Sequence, residues 1–111
     1  MRLPNADAVE IDVRKVRDYL LSATHPVGRH KARFFTALGL ADTATTAFIA
    51  EIRRIAAAED IASVKDTEFG RKYTVVGELR GSVGTAPVET VWIQEHGRLF
   101  VRLVTVLPRS S

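Results

Sequence analysis

The sequence predicts an α+β domain in which three N-terminal helices pack on one face of a three- to four-stranded antiparallel sheet. The period of the apolar residues is helical up to about Ala58 and becomes extended from about Ile61. The extended segments are also joined by short glycine-containing turns, the connection that antiparallel strands accept and parallel strands cannot. Helices first and hairpin-linked strands after is a segregated order, which distinguishes α+β from alternating α/β architecture.

After a short polar leader, Asp12 is placed to cap a first helix whose stripe is Val13, Val16, Tyr19 and Leu20, ending near Leu21 or Ser22. The segment SATHPVG reads as a loop, because Pro26 biases His25 away from helical backbone and Gly28 precedes the next periodic run. A second helix is expected from Arg29 to Leu38, with Gly39 in the position that closes a helix. Asp42 is expected to cap a third, in which Phe48, Ile49, Ile52, Ile55 and Ala56 share one face and Arg53 and Arg54 lie opposite.

In the second half, Lys72–Leu79, Val88–Gln94 and Leu99–Leu107 read as strands, and the weaker segment Ala62–Asp66 as an edge strand. Gly81 to Gly84 forms one turn, and Glu95-His96-Gly97-Arg98 a tight hairpin; Pro108 ends the pairing. Glu68 to Lys72 reads as a turn with solvated charges. All 111 residues are expected to form a single domain, with the helical half at about 11–58 and the sheet half at about 61–108.

Composition narrows the function classes. The chain has no cysteine, hence no disulfide framework and no thiolate nucleophile or thiolate zinc site, and a reducing cytoplasm is the expected location. No apolar run approaches the length of a membrane span, so no membrane association is expected. Sixteen Lys and Arg against thirteen Asp and Glu give a formal charge of +3, unevenly spread. No serine-hydrolase elbow, phosphate loop, dinucleotide fingerprint, HExxH metal motif or helix-turn-helix signature occurs, and neither a metal nor another cofactor is expected.

One cluster stands out. In "HPVGRHKARFF", residues 25–35, two histidines and three cations precede two phenylalanines. With Arg29 set at 0° on the helical wheel, Lys31 falls at about 200° and Leu38 at about 180°, so Lys31 lies within the apolar stripe. Its stem can pack while its ammonium reaches a cleft mouth, or it can pack only. Arg29 and Arg33 lie away from the stripe, as a solvated face or as phosphate contacts. His25, His30 and Lys31 surround a helix N-terminus, whose unpaired N–H groups favour an anion. Imidazoles and an ammonium there suit phosphate binding and proton transfer without a metal; a loop histidine bonded to a carbonyl is the plainer alternative.

Arg102 lies inside the last strand, positioned to cross a rim or to pair with Glu89 or Glu78, and strict alternation puts Thr105 on the opposite face unless a bulge intervenes. Trp92 is either a core residue or a base-stacking platform. His96 is expected to be inert.

The segments "YLLSATHPVGRHKARFFTALG", "FGRKYTVVGEL", "VETVWI" and "RLVTVLP" together resemble a family of small bacterial domains with an HPVGxHKAxFF motif and an LVTAYP-like ending. Val106 and Leu107 depart from that ending. The outline is also similar to the ribonuclease toxin fold of barnase, EndoU, colicin nucleases and RelE. That resemblance implies a metal-independent endoribonuclease toxin acting by 2′-OH attack, checked by a small antitoxin or immunity-like protein. It implies His25 or His30 as base, Lys31 and Arg102 as phosphate stabilisers, and Thr105 as an orienting hydroxyl. The alternative is a non-catalytic antitoxin, immunity or adaptor module that binds RNA or an acidic protein.

Overall fold

A computed structural model describes residues 1–17, 29–40 and 44–109, without the side chains of residues 29–31. The elements are α1 (Val13–Lys15), α2 (Arg29–Ala37), α3 (Thr45–Ala58), β1 (Ile61–Thr67), β2 (Gly70–Arg80), β3 (Thr85–Glu95) and β4 (Arg102–Pro108). The fold is α+β, with helices N-terminal to one antiparallel sheet of order β1-β2-β3-β4. The weak segment at Ala62–Asp66 is the fourth strand, at the sheet edge.

Asp12 caps α1 as expected, its Oδ1 accepting from the backbone N–H groups of Arg14 and Lys15 at 2.9 and 3.4 Å. Val16 is buried, whereas Val13 is exposed. The rest of the expected stripe, Tyr19 and Leu20, lies outside the described residues. Helix α2 ends with Gly39 N–H bonded to Thr36 O and Leu40 N–H to Phe35 O, both at 2.9 Å, the closing pattern expected from Gly39. At α3 the N-cap is Ala44, which makes no side-chain capping bond. Asp42, the expected cap, lies outside the described residues.

Phe48, Ile52, Ile55 and Ala56 of α3 are buried, and Ile49 packs beside them. Gly77 of β2 lets α3 settle closely, since a Cβ there would stand 2.8 Å from Ile55 Cγ2. Arg53 and Arg54 are not merely solvated. Arg53 bonds Val9 O at 2.8 Å, and Arg54 joins Glu51 at 3.1 Å and the Glu78 carbonyl of β2. The Glu51 carboxylate also accepts from Arg80 N–H at 2.8 Å, locking helix to strand. Burial pushes the Glu51 carboxyl up, but Arg54 and the Arg80 N–H outweigh it and hold the group below the ordinary glutamate range.

Trp92, Phe35, Phe48, Val75, Leu79 and Val88 centre the core, with Phe35 and Phe48 edge-to-face at 5.0 Å. The buried Thr90 hydroxyl accepts from Trp92 Nε1 at 2.9 Å and donates to Val75 O at 2.7 Å, so the indole N–H is satisfied inside the core. Several bounds differ from expectation: β3 starts at Thr85 and β2 at Gly70, so the expected Glu68–Lys72 turn shrinks to Glu68 and Phe69 because Gly70, Arg71 and Lys72 pair with β1. The leader is not purely polar: Leu3 and Val9 are core residues, and Glu10 bridges Arg102 in parallel along the outer edge of β4. The last strand begins at Arg102 rather than Leu99, because residues 96–101 form a longer connection than a tight hairpin.

Candidate functional site

Helices α2 and α3 pack on the sheet face that carries Tyr73, Val75, Trp92 and Leu103, and the alternating residues form the opposite, open face. Cross-strand register arranges that face in rows. Lys65 of β1 lies opposite Lys72 of β2, Lys72 opposite Ile93 of β3, and Ile93 opposite Arg102 of β4. The row holds three cations and no carboxylate. Beside it runs a second row, Ser63, Thr74, Val91 and Thr105, which carries three hydroxyls. At the usual strand spacing, the cation row spans roughly 14 Å.

Thr105 reaches this face through a bulge. Between Trp92 and Val91 the partners step from Leu103 to Thr105, leaving Val104 as the inserted residue. One inserted residue reverses the facing of all that follow. Leu103 and Val106 therefore both face the core and are buried, while Arg102 and Thr105 share the open face. The bulge that the sequence left open is therefore what puts the two on one face.

Arg102 pairs with neither Glu89 nor Glu78. Its Nε donates to Glu95 Oε1 at 2.9 Å, because Glu95 ends β3 beside the start of β4, whereas Glu89 lies opposite Leu107 and Glu78 opposite Pro87. That hydrogen bond, with the charge behind it, holds the Glu95 carboxyl below the usual range. On the other side stands Lys15 of α1, whose ammonium is pushed down by burial and then by the Arg102 guanidinium, against the pull of Asp12. Lys15 and Arg102 line one groove together with the carboxylates Glu10 and Asp12. Among the described residues neither Lys65 nor Lys72 is ion-paired, and like charges directly opposite on neighbouring strands repel. An anion laid along the row would relieve that repulsion.

Two grooves of ≈ 440 Å³ meet at Arg102. One is lined by Glu10, Ile11, Asp12, Lys15 and Leu103, the other by Thr67, Glu68, Phe69, Lys72, Ile93, Glu95 and Val104. A smaller cleft of ≈ 250 Å³ includes His96, Asp66 and Arg71, so His96 lies at the margin of the same end of the sheet.

The expected site residues divide. Arg102 and Thr105 share the open face in neighbouring rows. Trp92 is fully buried with its N–H bonded to Thr90, so the core alternative holds and no ring face is open to a base. Arg33 is exposed. The backbone of Arg29, His30 and Lys31 opens α2, while their side chains, and the whole of His25, lie outside the described residues. Sequence reasoning missed Lys15, Lys65, Lys72, Phe69 and Glu95. A signal for two of them was present: a two-residue turn at Glu68-Phe69 pairs Thr67 with Gly70 and hence Lys65 with Lys72.

Fold and face together define a class: small α+β domains with helices N-terminal to a four-stranded antiparallel meander whose uncovered face is cationic at one end. The chain belongs to the family described as a domain of unknown function, DUF6883, which it matches over residues 2–110. The fold is similar to a solved chain from a contact-dependent growth inhibition toxin - immunity protein complex of Klebsiella pneumoniae 342. The TM-score is 0.71 at 15% identity, over 89% of this chain and 98% of that one. No curated protein matches the sequence. No helix among the described residues is long and apolar enough to cross a membrane.

Proposed function

We propose that this protein is the toxin member of a toxin–immunity pair and that it cleaves RNA without a metal ion. The observation that carries the reading is the open sheet face, where three cations in one row adjoin three hydroxyls in the next and a bulge turns Thr105 toward the Arg102 side. A polyanion is the ligand such a row fits, because phosphate contacts dominate nucleic-acid affinity. Support also comes from the fold neighbour, which belongs to a toxin–immunity complex.

In this mechanism a histidine, His30 in the first turn of α2 or His25 ahead of it in the sequence, removes the proton of a ribose 2′-OH. The 2′ oxygen attacks the adjacent phosphorus, the bond from phosphorus to the 5′ oxygen breaks, and that oxygen takes up a proton. A 2′,3′-cyclic phosphate and a 5′-hydroxyl result. Arg102, with Lys31 from the first turn of α2, stabilises the charge that develops on the phosphorane, and Thr105 orients it. Glu95 acts through Arg102 as a positioning residue, since it fixes the guanidinium at 2.9 Å. Arg29 and Arg33 extend the contact to neighbouring phosphates. The RNA target places the activity in the cytoplasm, and a small immunity-like protein is the partner.

The test is to express wild type beside His25→Ala, His30→Ala, Lys31→Ala and Arg102→Ala, and to incubate each pure protein with RNA in EDTA. Growth arrest and cleavage by wild type, with cleavage by Arg102→Ala lowered at least 100-fold, is the expected result. Intact RNA and unimpaired growth overturn the reading. Salt-sensitive RNA binding without cleavage favours a non-catalytic immunity or adaptor module, which the neighbour's complex equally includes.

A further inference from the structure

Phe69 is 68% exposed at the tip of the β1–β2 turn, well above Phe100 at 38%, whereas Trp92, Phe35 and Phe48 are fully buried. The turn that presents it is firmly built. The Thr67 hydroxyl accepts from the backbone N–H groups of Phe69 and Gly70, both at 3.2 Å, and donates to Gly70 O at 2.8 Å. From the far side, His96 N–H donates to Phe69 O at 3.3 Å. Gly70 has φ +151°, and a Cβ there would stand 2.2 Å from Gln94 O, so the turn backbone is specified by residue type as well as by bonds. An exposed ring held on a fixed turn loses little freedom when a flat ligand covers it.

Beneath the ring lies the ≈ 440 Å³ groove floored by Ile93 and Val104 and flanked by Lys72 and Arg102. Of its two carboxylates, Glu95 is engaged by Arg102 and Glu68 sits exposed on the turn. An open aromatic face beside an apolar floor, with cations at the border, is the chemistry of a nucleotide subsite: the base stacks and the phosphate meets the charges. Among the described residues Lys72 makes no ion pair, so its ammonium is the cation of this groove left for a phosphate, while Arg102 already shares Glu95.

We propose that Phe69 and this groove form a base-stacking subsite for single-stranded RNA, with Lys72 and Arg102 holding the adjoining phosphate. The proposal rests on the RNA reading of the same face and supplies what that reading lacks, a place for a base. Stacking is tolerant of base identity, so the subsite takes any of the four bases.

The test uses the full chain and a fluorescein-labelled single-stranded oligoribonucleotide that is fully 2′-O-methylated, so that it binds but has no attacking hydroxyl. Affinity is measured by anisotropy for wild type, Phe69→Ala and Phe69→Trp, with folding checked by circular dichroism. Phe69→Ala is expected to bind at least tenfold more weakly and Phe69→Trp within threefold of wild type. The tryptophan introduced by Phe69→Trp is expected to be quenched on binding, because Trp92 is buried. An abasic oligonucleotide is expected to bind wild type and Phe69→Ala alike. Affinity of Phe69→Ala within twofold of wild type overturns the subsite, as does failure of wild type to bind. If natural RNA is cleaved but Phe69→Ala binds and cleaves like wild type, the subsite falls and the ribonuclease reading stands. If binding depends on Phe69 while natural RNA stays intact, the reverse holds.

Discussion

Single residues set the two poles of this molecule. In the core, Thr90 bridges Trp92 Nε1 and Val75 O, so Thr90→Val removes a partner from a buried indole N–H while keeping the volume. A loss of about 1–3 kcal/mol is expected, measured as a lowered urea midpoint with unchanged slope. On the open face, Arg102 is the residue where the cation row, the Glu95 carboxylate and Lys15 meet. Its importance was legible in the sequence as a cation within an apolar strand, but its partner was not. Glu95 became available only because β3 and β4 place the two residues at the same end of the sheet. Trp92 marks the opposite limit: its residue type fits both a core and a stacking surface, and alternation along β3 decides for the core.

At the scale of elements, the joint between α3 and β2 is the one that aims the sheet. Glu51 accepts from Arg54 and from Arg80 N–H, and Gly77 leaves room for Ile55. Gly77→Ala forces a methyl into a fully packed contact and is expected to cost about 1–3 kcal/mol in chemical denaturation. Glu51 gives this joint a pH dependence. Its folded-state pKa lies below the ordinary glutamate value of 4.5, so the unfolded chain takes up the proton first as pH falls. The stability it contributes is complete above that value and is lost as pH falls through the lowered folded one. Wild type is therefore expected to exceed Glu51→Gln in thermal midpoint at pH 7, with the gap closing in acid; a gap independent of pH would count against the linkage. Helix periodicity and the closing role of Gly39 made α2 and α3 legible beforehand. The bulge at Val104 was not, because nothing in "RLVTVLP" marks which residue is unpaired.

For the whole molecule, the cation row predicts a salt dependence. Three phosphates neutralised along a single strand give a slope of about −2 in log K against log salt, since each contributes roughly 0.7. Replacing Lys72 by Gln is expected to shift that slope by about 0.7 toward zero, measured by titration of a non-cleavable oligonucleotide; an unchanged slope would place the phosphates elsewhere. Apolar periodicity, turn chemistry and the order of elements determined the fold class from the sequence alone, because each is a local property of the chain. The cation cluster ahead of "FF" was equally visible there as a composition. The proposed site face was decided by tertiary structure: Lys65, Lys72 and Arg102 are scattered over 38 positions of sequence and line up through strand register, and one inserted residue brings Thr105 to the same face. Register is a pairwise property of strands, and facing after a bulge depends on which partner is skipped, so neither is written in any single segment.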